Sequence, residues 1–482
     1  MKIFNYTFTI FLFALIITAC TDDFEEINKN KNASETIEPE FLLTNVITEL
    51  IQQNTYNQGF DQANYFAHFS AAIGFGFFDR YLIGSNGTYW DNLYSYLQDI
   101  KTMQEAESSN EAYKAVGDVL KAFISSQLTD MWNDVPYSQA VSLSEGIVTP
   151  KYDRQEDIYT DPETGILALL RNAAFTLENT NEVIRGDVMY GNDLAKWTRF
   201  ANSLRLRYLL RISKRSTDFS ELEELSKSGN LMRSNNDNAV LPYLAAAPNQ
   251  WPFFLAAAGA NIEHVMTFTI DSVLTLLDDP RIGVYYKPTQ RSLNTNSVEY
   301  RGVRNGQNED TIGKDSTLSA EQLSLFGSIF RDVPDAVDAQ FMQYAEVQFA
   351  LAEATQRGYI TGDVQEYYAE GIRAAFEYYG VELPADYLTR EAVALNGADH
   401  LTKIMTQKWL SLINVGHEAW FNIRRTGIPT IVAGPDAAND GRYPVRYFYP
   451  ESEQATNAEN YAEAVARIGG DNLNSKGWWE TD

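Results

Sequence analysis

One cysteine, Cys20, occurs in the 482 residues of this chain. With no second thiol there is no internal disulfide and no Cys-paired metal site, so the fold rests on buried apolar surface and hydrogen bonds. The four histidines, His68, His264, His400 and His417, are scattered, and no His-Glu-x-x-His signature is present. A Gly-x-Ser-x-Gly elbow and a phosphate loop ending in Gly-Lys-Ser/Thr are missing as well. No metal and no cofactor is implied. The paired carboxylates of a glycosidase meet in space rather than in sequence, and 65 Asp and Glu residues make any one pair uninformative.

The place of the cysteine carries more. Before it stand Lys2 and an apolar run from Phe8 to Ile17, with the charge and greasiness of a bacterial secretory signal and too short to span a bilayer comfortably. Thr18 and Ala19 directly before Cys20 resemble a lipobox, in which the thiol is diacylated and residues 1–19 are removed as a signal peptide. Cys20 is then the lipidated first residue, with no thiolate left as a nucleophile. Asp22, Asp23, Glu25 and Glu26 resemble the short anionic signal that sends Bacteroidetes-type lipoproteins to the outer face of the cell. More than one acyl chain makes such an anchor durable. Residues 20–37, polar and rich in Asn, Lys and Glu, form a lipidated flexible tether. No Pro- or Ser-rich linker divides the remainder of the chain, so 38–482 is expected to be a single domain.

The net charge of −27 disfavours nucleic acid and anionic lipid surfaces, both of which require clustered cations. The 28 Tyr, 26 Phe and 8 Trp residues exceed ordinary usage. Such a surplus serves a core or a stacking surface, and it draws attention to sugar or peptide ligands without choosing between them.

Helical periodicity dominates the chain. Tyr113, Val116, Leu120, Phe123 and Gln127 mark one stripe of a helix from about Glu111 to Asp130, and Trp197, Ala201, Leu204 and Tyr208 mark another. A helix near Glu263 to Leu277 is expected to close at Asp278-Asp279-Pro280. Phe341, Ala345, Phe349 and Ala352 predict a helix stopping at Gly358; Asp363 with Glu366 resembles a capping box opening the next, whose stripe is Tyr368, Ile372, Ala375 and Tyr379. Leu401, Met405, Trp409 and Leu412 give a third stripe. The fold class is mostly α, a tetratricopeptide-like scaffold of helix pairs with long irregular loop excursions. Arg205, Arg207 and Arg211 are expected to pair with carboxylates and hold helices together.

Ordered motifs run through this pattern. Asp130-Met131-Trp132-Asn133-Asp134-Val135-Pro136-Tyr137-Ser138-Gln139-Ala140 resembles the D-x-W-G-D-V-P-Y-S-E-A element of the SusD/RagB family of outer-membrane nutrient-binding lipoproteins, with Asn133 in place of the usual glycine. Pro150-Lys151-Tyr152-Asp153-Arg154-Gln155 through Tyr159 resembles the family's P-x-Y-D-x-Q-x-x-I-Y. Gln343 to Ala354, Gln407 to Leu410, Glu418 to Pro429, Arg446 to Glu453 and Trp478-Trp479 extend the likeness over nearly the whole mature chain. The resemblance implies a non-catalytic, outer-membrane, cell-surface receptor that captures a glycan and delivers it to a TonB-dependent transporter of the SusC type. A peptide ligand is the alternative within the family. A glycoside hydrolase on a helical scaffold and a helical-repeat adaptor for another protein are the readings outside it.

The motifs themselves are scaffold, and the Glu418/Arg424/Arg425 cluster is read as a salt-bridge network. Candidate ligand contacts are therefore sought among rings in Gly- or Pro-broken loops, which no helical stripe requires. One loop offers Phe75, Phe77, Phe78 and Tyr81, with Asp79 and Arg80 to hydrogen-bond hydroxyls. The other offers Asn249 and Trp251, followed by Phe253. Trp251 and Tyr81 are favoured for combining a stacking face with a polar atom. The 285–333 excursion, with Tyr285, Tyr286 and Tyr300, is the fallback.

Overall fold

A computed structural model describes residues 38–481 apart from Phe75, 260–263 and Asn296. The expected signal peptide, Cys20 and the whole of the 20–37 tether lie outside the described residues.

The first helix, α1 (Pro39–Gln53), buries Leu42, Leu43, Val46, Ile47, Leu50 and Ile51, a spacing of three and four that puts one face inward. It packs on α2 (Gly87–Glu105), which packs on α3 (Glu111–Trp132). A short turn joins these two, and Asn110 caps α3 by accepting from the Tyr113 amide at 3.0 Å. The chain of contacts continues through α4 (Ile166–Asn179) and α5 (Leu194–Arg211) to α6 (Tyr344–Gln356), and from α6 to α7 (Val364–Tyr378) and α8 (His400–Ser411). Asp363 accepts from the Gln365 and Glu366 amides, as its place in the sequence suggests. A Cβ at Gly371 would stand 2.8 Å from the Phe349 ring, so only glycine lets α6 and α7 approach this closely. The last scaffold helix, α9 (Glu418–Thr426), ends at Gly427 with φ +72°. Helix–turn–helix pairs of this kind make a mostly helical, tetratricopeptide-like scaffold, and residues Pro39–Asp482 form one compact unit.

Buried ion pairs tie the helices together. Arg207 reaches Glu346, Arg211 reaches Asp130 and Glu418, Arg424 reaches Glu480 and Arg425 reaches Glu353. These arginines are structural, in keeping with their sequence context. Asn133 adopts φ +70° and ψ −117°, a backbone conformation that favours glycine. Its amide donates to the Ser475 carbonyl at 2.9 Å, which helps to hold it there.

Strands are few and paired in twos: β1 (Ser70–Ala72) with β5 (His264–Met266), β2 (Val135–Pro136) with β3 (Tyr152–Asp153), and β4 (Ala239–Pro242) with β6 (Asp338–Met342). Two expectations are corrected here. Phe341 lies on β6, so the helical stripe starts later, in α6. The helix expected from Glu263 starts only at Phe268, because His264–Met266 is drawn into pairing with β1. The 285–333 excursion packs as short helices and single bridges over a small core of Ala71, Val265, Val303, Leu318 and Leu323. After α1 the chain continues as a π-helix, Asn54–Ala63.

Candidate ligand-binding site

The loop after β1 is a folded turn. Arg80 N donates to Gly76 O at 3.0 Å and Leu82 N to Phe77 O at 2.8 Å. Asp79 anchors it from inside, accepting from Ala72 N at 3.2 Å, Gly306 N at 3.0 Å and Asn305 Nδ2 at 2.5 Å. Burial raises the Asp79 carboxyl to about 7 even though these three donors oppose the shift. Arg80 is half-buried, and its Nε donates to the Asp436 carbonyl at 3.2 Å. Both residues, expected to meet ligand hydroxyls, instead clamp the loop onto 305–306 and 436–438.

The rings divide sharply. Phe77 keeps 58% of its surface exposed. Phe78 is half-buried, edge-on to Phe66 at 6.2 Å. Tyr81 is buried and packs edge-on against Tyr443 at 6.0 Å. Phe75 lies outside the described residues.

The second loop reverses the expectation. Trp251 is fully buried, its indole N–H donating to the Phe330 carbonyl at 2.7 Å, with Tyr56, Phe60 and Tyr243 packed around it. Phe253 is buried against Phe60 at 4.3 Å. Asn249 is exposed, and its carbonyl accepts from Leu244 N at 2.7 Å. Trp251 and Tyr81 are therefore core anchors, not open stacking faces. Proline- and glycine-broken chain does not keep a ring in water when a core pocket lies beneath it. The fallback fares no better: Tyr285 and Tyr286 are buried, donating to the Leu410 and Phe69 carbonyls. Tyr300 is half-buried.

The structure adds groups that sequence reasoning missed. On the π-helix, Tyr56 and Asp61 stand five residues apart, close to one turn of that wider helix. Tyr56 is half-buried, edge-on to Trp251 at 5.4 Å. The Asp61 side chain is 37% exposed, and Oδ1 lies 3.6 Å from His264 Nε2. Among the described residues no hydrogen-bond donor satisfies it, and burial pushes its carboxyl up to about 7. Phe268 is also exposed, with the Arg304 guanidinium 5.8 Å from its ring centre. Only the tight sequence Asn-Thr-Tyr-Asn-Gln-Gly-Phe-Asp hinted at irregularity here, and a π-turn has no simple sequence period.

His264 also meets the Ser70 hydroxyl through Nδ1 at 3.1 Å, so serine, histidine and aspartate stand in a row. Ser70 has no exposed surface, and burial with Arg331 nearby lowers the His264 pKa to about 3. A sealed hydroxyl beside so weak a base cannot reach a substrate carbonyl, so the row is a structural relay.

A cavity of about 1050 Å³ opens elsewhere, between helix Phe268–Leu277, α8 and the segment around Arg390. Its cations are spent on the protein: Arg390 pairs with Asp386 at 3.0 Å and Lys403 donates to the Glu391 and Ala394 carbonyls. Among the described residues its only aromatic lining residue, Tyr368, is buried.

Comparison with known proteins gives a consistent result. Residues 31–450 match the SusD-like family described as starch-binding and associating with the outer membrane. Two SusD homologues of known structure from Bacteroides fragilis match at 26% and 27% identity with TM-scores of 0.83 and 0.80, each covering 92% of this chain and 100% of the other. A chitin-binding SusD homologue from Flavobacterium johnsoniae matches at 25% identity and TM-score 0.77, covering 92% of this chain and 98% of the other. A comparison with curated protein sequences gives no match. The chain belongs to the SusD/RagB family, whose members are outer-membrane-associated binding proteins with this helix-pair fold.

Proposed function

We propose that this protein is a cell-surface glycan receptor, anchored by lipid on Cys20 and tethered by residues 20–37, which delivers its ligand to a SusC-type TonB-dependent transporter. The observation that carries the reading is the exposed Phe77 ring, held on a loop that Asp79 clamps from within. The backbone that carries this ring is held in place, so a sugar stacking on it orders little more than the side chain. Phe78 beside it and Asn249 remain candidate contacts, and Tyr56 and Asp61 join them. The starch-binding description of the family and the chitin-binding relative support a glycan over a peptide. Among the described residues no helix is long and apolar enough to cross a membrane, which agrees with a lipid anchor.

A glycan and peptide array tests the ligand class: binding to oligosaccharides without turnover is expected, and binding to peptides alone would overturn the reading. Cys20→Ala is expected to release the protein from membranes, and recovery with the transporter in mild detergent is expected for the native pair.

A further inference from the structure

We propose that the cavity between α2, α3 and the 137–141 loop after β2 is a second ligand site, which takes a small organic carboxylate with an apolar body. The cavity measures about 310 Å³, enough for a small molecule and roughly ten times the share of one water. Leu97 and Ile100 of α2, Lys121 and Ser125 of α3, and Tyr137 and Val141 of the loop line it. None of these residues belongs to the loops of the candidate glycan site, so the proposal does not depend on what binds there.

The loop is fixed over the cavity. The Tyr137 hydroxyl donates to the Thr164 carbonyl, and Lys101 Nζ donates to the Val141 carbonyl at 3.2 Å and pairs with Glu145 at 2.8 Å. The unused polar groups are on α3. Ser125 keeps only 2% of its surface exposed, yet among the described residues its Oγ meets no hydrogen-bond partner. Its neighbour Ser126 shows the ordinary outcome for a buried helical serine, with Oγ donating to the Phe123 carbonyl at 2.7 Å and meeting the Tyr208 hydroxyl at 2.6 Å. A buried hydroxyl left unpaired is costly, and a ligand atom in the cavity removes the cost. Lys121 stands one turn before Ser125 on the same face of α3. Its ammonium lies 5.8 Å from the centre of the Tyr137 ring. Asp118, a turn earlier, acts on Lys121 only through its field: it does not line the cavity, and it accepts from Gln104 Nε2 at 2.9 Å.

An ammonium has no acceptor and a hydroxyl carries a hydrogen, so the ligand presents acceptor oxygens to α3, and one cation calls for one negative charge. Leu97, Ile100 and Val141 offer aliphatic surface. A sugar would set hydroxyls against it and an inorganic anion would leave it unfilled.

The test titrates hexanoate and its neutral isostere hexanamide into the full-length protein by methyl-resolved NMR, with Lys121→Met and Ser125→Ala alongside. Hexanoate is expected to bind the native protein about fivefold or more tightly than hexanamide, since a charge-assisted hydrogen bond separates them. Lys121→Met, which keeps an apolar stem, is expected to abolish that preference. Ser125→Ala, which removes only an unpaired hydroxyl and so spares the fold, is expected to weaken hexanoate about threefold or more. In the native protein, nuclear Overhauser contacts from the hexanoate chain to the Leu97 and Ile100 methyl groups give a reading that needs neither variant. Equal affinity for the two compounds, a preference that survives in Lys121→Met, or contacts that miss Leu97 and Ile100 would overturn the inference. A cavity that holds water alone would do the same, seen as methyl signals unmoved by either compound.

Discussion

Arg425 of α9 and Glu353 of α6 form a bidentate ion pair, Nη1 to Oε1 at 2.5 Å and Nη2 to Oε2 at 2.6 Å, with both side chains sealed from water. Burial alone would raise the Glu353 carboxyl; Arg425, helped by Lys408 and Arg357, outweighs it and holds the group at about 2. Glu353→Gln leaves the guanidinium buried without its counter-charge, and a loss of about 3–5 kcal/mol in unfolding free energy is expected. Because the folded-state value is depressed, this contribution is complete above about 4.5 and is lost as pH falls toward about 2. Denaturant titrations of the two proteins at several pH values are expected to converge on acidification.

Asp79 titrates in the opposite sense. Its carboxyl is raised to about 7 by burial, so the folded state holds a proton that the unfolded chain, near 3.8, has already released. Stability from this group is present at low pH and is lost as pH rises from about 4 to above 7, by an amount on the order of 4 kcal/mol. Asp79→Asn, which cannot titrate, is expected to gain on the native protein across that window. Melting temperatures of both proteins from pH 4 to 8 check it, and parallel curves would show that the three N–H donors keep the group ionised.

Trp251→Ala is expected to cost about 3–5 kcal/mol in stability, because it empties a pocket lined by Tyr56, Phe60 and Tyr243 and strands the Phe330 carbonyl. Thermal melting reads this directly. A folded variant of native stability that only lost ligand would return Trp251 to the binding surface.

How far the sequence led is visible in these residues. Tyr113, Val116, Leu120 and Phe123 are buried along α3, and the arginines of α5 meet the carboxylates that a very acidic chain makes available. Helical stripes report local geometry, so they were legible. Trp251 was not, because whether a ring in a Pro-flanked loop turns inward depends on Phe60 and Tyr243, and Phe60 is distant in sequence. Asp61 was hidden for a related reason: its neighbour His264 comes from a strand far along the chain. His264 was placed in a helix because strand pairing with Ala72, some 190 residues earlier, leaves no mark in the local pattern.

Phe77→Ala isolates the ligand contribution from the fold. The ring is 58% exposed, so its removal creates no core cavity, and a melting temperature close to native is expected. The backbone of the loop stays clamped, since Asp79 holds Gly306 and Asn305 whatever side chain occupies position 77. Loss of one stacking face should then weaken glycan binding by about 1 kcal/mol, roughly a fivefold rise in Kd, as for a moderate aromatic anchor. Calorimetry with the best ligand from the array measures it. An unchanged Kd would move the stacking surface to Phe268, whose ring is also exposed and carries Arg304 beside it.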